Sequence, residues 1–165
     1  MRHCVVFSSV LLGAAVLAVQ AVAGPFFTSS RPQEAHPGQL ITLRAGMGVR
    51  VRDLMPLYLV PTRLAPAPYI CDHGKGTCEH MARHAPDSTP YIRVATLDVR
   101  HAPGSPMAGY SVTIRYRLPE TVRKGRYAYL LYCRWCGRKG SGSLIAWPTG
   151  AGKDGPTVGT ALVVR

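Results

Sequence analysis

The chain has 165 residues and carries 20 Lys and Arg against 8 Asp and Glu, a net charge of +12 with histidines neutral. That length suits one domain with a real core and would cramp two, and the charge predicts attraction to phosphate or carboxylate polymers. Nucleic acid is excluded as the expected partner, because the chain has no helix-turn-helix, zinc-finger or RNP-type aromatic motif. At the N-terminus, Arg2 precedes an apolar stretch from Val5 to Val19, which ends at Ala21-Val22-Ala23 with small residues at both cleavage-determining positions. This pattern predicts an export signal over residues 1–23, cut before Gly24. The competing reading is an uncleaved anchor, since the apolar run approaches the ~20 residues that span a bilayer. A lipoprotein signal fits less well, because Cys4 precedes the apolar run instead of ending it. No later stretch approaches membrane-spanning length, so no transmembrane segment is expected after cleavage. Residues 24–36 read as a short extended segment, and residues 37–165 as one domain.

Within that domain the organisation reads as all-β. The clearest strand is Tyr110 to Leu118, where Tyr110, Val112, Ile114, Tyr116 and Leu118 alternate with polar residues and so share one face. β-branched and aromatic enrichment between Gly/Pro punctuation predicts further strands at Gln39–Arg44, Pro56–Val60, Tyr91–Val99, Arg126–Cys133, Ser143–Trp147 and Val158–Val164. Only Glu79 to His84 suggests a short helical turn. About seven short strands separated by turns predict an antiparallel β-sandwich. Tyr127, Tyr129 and Tyr132 fall on both faces of their strand, so some are expected in the core and some exposed. Gly125-Arg126-Tyr127 could suggest a tyrosine corner, but a turn running into a strand explains it without special function, and that plainer reading is taken.

Pro37-Gly38-Gln39-Leu40-Ile41-Thr42-Leu43-Arg44, Leu57-Tyr58-Leu59-Val60-Pro61, Leu118-Pro119, and Gly125-Arg126-Tyr127 leading into Cys133-Arg134-Trp135-Cys136 together resemble a group of small secreted proteins of high-GC bacteria with immunoglobulin-like domains. The resemblance covers about residues 36 to 147. It implies an immunoglobulin-like sandwich and carries no activity with it. The chain departs from that pattern by inserting Cys71 to Cys78, which suggests an added local disulfide.

Once the signal and Cys4 are removed, four cysteines remain in two close pairs, Cys71/Cys78 and Cys133/Cys136. In an exported chain such a set reads first as disulfides. Four cysteines allow three connectivities, and the local one closes short loops, each contributing roughly 2 kcal/mol in the chain-entropy model. Two other chemistries compete for these residues. Cys71, His73, Cys78, His80, Met81 and His84 lie within fourteen residues and offer the soft ligands that suit zinc or copper(I), with Cys133 and Cys136 able to complete a set. A copper site on His73, His80, Met81 and His84 would spare the cysteines. Cys133-x-x-Cys136 is also the spacing of thiol-disulfide exchangers, but those place it at a helix N-terminus, and here it follows a Tyr-rich strand.

Hydrolytic motifs are absent: there is no Gly-x-Ser-x-Gly, and Gly150-Ala151-Gly152-Lys153-Asp154 has Asp154 where a phosphate loop needs Ser or Thr. Leu118-Pro119-Glu120-Thr121 lacks the glycine and hydrophobic tail of a sorting signal and reads as a strand end and turn. The expectation is therefore a secreted or cell-wall-associated binding or structural module, without catalytic residues or a cofactor. Its partners would be anionic wall polymers or lipid head groups. The contact surface is expected at Arg134, Trp135, Arg138 and Lys139 and in the Cys71–Cys78 insertion.

Overall fold

The alternation in Gly109–Arg117 dictates which way each side chain turns: Tyr110, Ile114 and Tyr116 are buried, while Ser111, Thr113, Arg115 and Arg117 face outward. The computed structural model describes residues 25–27, 31–47, 53–66, 70–71, 78–105, 109–136, 142–152 and 155–165. Its strands in chain order are β1 (Pro25–Phe27), β2 (Gln33–Ala35), β3 (Leu40–Met47), β4 (Met55–Pro61), β5 (Ile70–Cys71), β6 (Cys78–Met81) and β7 (Ile92–Leu97). The second half adds β8 (Gly104–Ser105), β9 (Gly109–Arg117), β10 (Gly125–Cys133), β11 (Ser143–Trp147), β12 (Thr149–Gly152), β13 (Gly155–Val158) and β14 (Leu162–Val164). Among the described residues no helix is long and apolar enough to cross a membrane, and a single 3₁₀ turn, Thr62–Leu64, follows β4. The fold is all-β.

Two sheets share one core. The first runs β1-β3-β9-β8. In the second, β4 lies along one edge of β10, while β14 and β11 divide the other edge between them, pairing with Gly125–Tyr127 and Tyr129–Cys133 respectively. Beyond β4 comes β7; beyond β11 come β6 and β5; and β2 runs parallel to β14. Ile41 and Ala45 of β3 and Tyr110, Ile114 and Tyr116 of β9 meet Leu57 and Leu59 of β4, Tyr129 and Leu131 of β10, and Ile145 of β11 in the shared core. The hydroxyls of Tyr116 and Tyr129, one from each sheet, join there at 2.8 Å.

The second sheet is buried on its outer face as well, which is why β4 and β10 read as nearly unbroken apolar runs. Tyr58, Val60, Ala128, Leu130, Tyr132, Leu144 and Ala146 form a separate cluster, against which Ala65, Ala82, Ala85, Tyr91 and Val158 pack. The cover comes from the long connection between β4 and β7 and from the β12–β13 hairpin. Tyr91 meets the Tyr58 ring edge-on at 6.4 Å, and Tyr132 Oη donates to the Arg83 carbonyl at 3.0 Å. At Gly142 the backbone has φ +81° and passes so close that a Cβ would stand 2.3 Å from the Ala82 carbonyl oxygen. Only glycine tolerates both conditions.

Several sequence expectations are corrected here. Tyr127, Tyr129 and Tyr132 are all buried where some were expected exposed, because the covering connection also buries the opposite face of the strand, where Tyr132 lies. Val158–Val164 is not one strand: β13 ends at Val158 and β14 starts at Leu162, while the amides of Gly159 and Ala161 between them bond to the carbonyls of Pro148 and Tyr127. Residues 78–81 form a strand where a helical turn was suggested. Within the segment read as extended, Pro25–Phe27 and Gln33–Ala35 are strands, one in each sheet.

Candidate functional site: a basic groove at the β9–β10 corner

The chain leaves β9 through Leu118-Pro119 and turns, with the Val122 amide bonding the Pro119 carbonyl at 3.0 Å. Arg123 and Lys124 sit on the corner, and Gly125 starts β10. Alternation then sends Tyr127 toward the shared core and Arg126 outward. Tyr127 Oη reaches back to donate to the Arg123 carbonyl at 2.8 Å, which pins the corner to the strand that follows it. The bond has the pattern of a tyrosine corner, which nothing in the sequence alone favoured over a simple turn and strand. Burial is the leading cause that pushes the Tyr127 phenol upward, with the Arg123 charge opposing it.

Register brings distant residues to this corner. Tyr127 pairs with Pro61 on one side and with Leu162 on the other. Thr62 and Arg63, just past β4, and Thr160, just before β14, therefore come beside Arg123, Lys124 and Arg126. Together with Pro61, Gly125 and Tyr127 they line an open groove of about 570 Å³. The Thr62 and Thr160 hydroxyls lie 3.3 Å apart.

Among the described residues the groove holds four cationic side chains and no carboxylate, and none of the four forms an ion pair there. Asp98 and Glu34 are each engaged by an arginine away from the groove. Hydrogen bonds from Arg100 hold Asp98 down at about 2, and Arg165 holds the Glu34 carboxyl below its ordinary range. Four like charges facing one open space repel each other, and an anion with several oxygens would relieve that repulsion while accepting their hydrogen bonds.

At the opposite end of β10, Cys133 and Cys136 are joined in a disulfide with Cα atoms 5.3 Å apart. Cys133 is fully buried, and Cys136 packs against the shared core. Residues 134 and 135 form a turn, and the Cys136 amide bonds the Cys133 carbonyl at 3.4 Å. A redox nucleophile needs an accessible sulfur at a site that stabilises the thiolate; this bridge has the environment of a structural staple. Between the two cysteines, Trp135 is 58% exposed. Its indole N–H donates to the Asp53 carboxylate, and the Arg134 guanidinium lies over its ring at 5.4 Å. Arg138 and Lys139, the other expected contact residues, lie outside the described residues.

The register of β5 and β6 sets Cys71 directly opposite Cys78, a backbone relation whose Cα spacing suits a local bridge. Of the metal candidates, His73 lies outside the described residues. His80 and Met81 are consecutive on β6 and so project to opposite faces, while His84 is exposed beyond the strand. Among the described residues no group of three or more His, Cys, Asp or Glu converges.

No protein-family model, curated protein or solved structure matches the chain. Arg123, Lys124 and Arg126 lie close together along the chain. Arg63, Thr62 and Thr160 had no local signal, because only strand pairing brings them to the corner.

Proposed function

We propose that this protein is an exported immunoglobulin-like β-sandwich that works without catalysis, as an extracellular or cell-wall-associated module binding anionic polymers or lipid head groups. The immunoglobulin-like reading is supported by the strand order. One sheet of β1-β3-β9-β8 faces another in which β7-β4-β10 continue into β14, with β2 parallel to β14. It is also supported by the Tyr127 hydroxyl bond at the corner between the sheets. On this reading the β4–β7 connection and the β12–β13 hairpin are additions to the basic sandwich.

The observation that carries the functional reading is the groove with four cations and no acid. Such a surface attracts anions through a term that salt weakens, with log K falling by about 0.7 per neutralised phosphate per tenfold rise in salt on a flexible polyanion. Replacing Arg123, Lys124 and Arg126 together with glutamine should weaken binding to an anionic wall polymer at least tenfold and lower the salt slope by about 2. Co-sedimentation of the exported protein with the polymer across a salt series measures both. Binding that ignores salt, or that survives the triple substitution unchanged, would overturn the reading.

A further inference from the structure

The two sheets differ in what lies on their outer faces. The second is covered by the β4–β7 connection and the β12–β13 hairpin, whereas the outward residues of β3 and β9 are exposed. Register places Leu40 opposite Arg117, Thr42 opposite Arg115 and Arg44 opposite Thr113. Successive outward positions on a strand are about 7 Å apart and neighbouring strands about 4.8 Å apart. The rows of Arg44, Arg115 and Arg117 therefore follow one another at nearly equal intervals along the strand axis, over about 14 Å. β3 and β9 contain no Asp or Glu, and neither the Arg44 nor the Arg115 side chain has a hydrogen bond or ion pair among the described residues. On its other side, among the described residues, β9 is paired only at Gly109 and Tyr110 by β8, with the Ser111 amide bonding the Pro103 carbonyl at 3.1 Å.

We propose that this face is a docking surface for a linear polyanion of the phosphodiester class, lying along the strands with successive charges against Arg44, Arg115 and Arg117. This inference rests on the reading of the protein as a binder of anionic polymers and adds a second surface and a ligand class to it. Evenly spaced cations match a chain with one charge per repeat, and the Thr42 and Thr113 hydroxyls between them can donate to phosphate oxygens. A lipid surface fits the face less well, because membrane-lying faces carry Trp, Phe and Leu as a broad apolar side, and here Leu40, 57% exposed, is the single apolar residue among the six.

The test uses the exported full chain and three probes: poly(glycerol phosphate), monomeric glycerol phosphate, and vesicles containing phosphatidylglycerol. Wild-type protein should bind the polymer far more tightly per phosphate than the monomer. The Arg44→Gln/Arg115→Gln double variant should lose affinity for the polymer at least fivefold, with a salt slope lower by about 1.4, and the groove triple variant should lose affinity independently of it. Arg115→Gln alone, with a slope lower by about 0.7, serves if the double variant fails to fold. Arg117→Gln is set aside because its guanidinium also donates to the Gly38 carbonyl at 2.7 Å. Polymer affinity unchanged in the β3–β9 variants but reduced in the groove variant would overturn this inference and leave the parent reading standing. Loss confined to vesicles would overturn it in favour of a lipid surface, and absence of binding to any anionic probe would overturn both readings.

Discussion

Leu57→Ala should destabilise the domain by about 2–5 kcal/mol, the range for deleting a large aliphatic side chain from a core that cannot collapse around the void. Leu57 is fully buried and sits on β4 between two partners, opposite Leu131 of β10 and Ala95 of β7. The irregular register between Leu57 and Tyr58 lies on the β7 side, so the pairing with β10 holds the side chain against the opposite sheet. Neighbours from both sheets line the space it fills, and closing that space would mean moving two sheets together. Urea unfolding should show a lower midpoint with an unchanged slope. A loss below about 1 kcal/mol would mean that the core relaxes, contrary to its two-sided packing.

Replacing Tyr116 or Tyr129 singly with phenylalanine should cost about 1–3 kcal/mol, and replacing both should cost much less than the sum. The reason is the hydroxyl pair at 2.8 Å in the shared core, where removing one partner strips the other buried hydroxyl of that bond, while removing both leaves no hydroxyl to compensate. The same pair makes stability sensitive to alkali. Burial pushes the Tyr129 phenol up to about 12, and burial followed by the neighbouring phenol pushes Tyr116 higher still. Because both values exceed the ordinary one near 10, the unfolded chain loses these protons first as pH rises. The contribution is complete below pH 10 and drains away as pH climbs toward and beyond 12. The double-phenylalanine protein should therefore lose less stability than wild type between pH 10 and 12, as chemical denaturation at a series of pH values would show. Additive single losses, or identical alkaline curves, would sink this account.

The parts of the fold legible in the sequence were those decided by neighbours along the chain. β9 was readable because its alternation spans nine residues, and β10 and β11 because aromatic and β-branched residues run between turn residues. What escaped was decided across the sheet. The break between β13 and β14 depends on carbonyls of Pro148 and Tyr127 capturing the amides of Gly159 and Ala161; a run rich in valine and threonine conceals it. The burial of Tyr132 depends on Arg83 and Ala82, some fifty positions away in the chain. The groove was half legible, its charge run being local and its Arg63 and Thr160 wall being a product of register. The covered outer face of the second sheet follows from a connection whose length was visible but whose path was not.

The groove is stitched from three stretches of chain, the end of β4, the corner before β10 and the approach to β14, so it exists only when the second sheet has reached its full register. An anion held there binds the completed fold and has no counterpart site in a partly ordered chain. By mass action its presence at a hundred times its dissociation constant would add about 2.7 kcal/mol to the folded state. On the proposed reading, an anion bound in the groove would therefore favour molecules in which these three stretches have paired over those in which they have not.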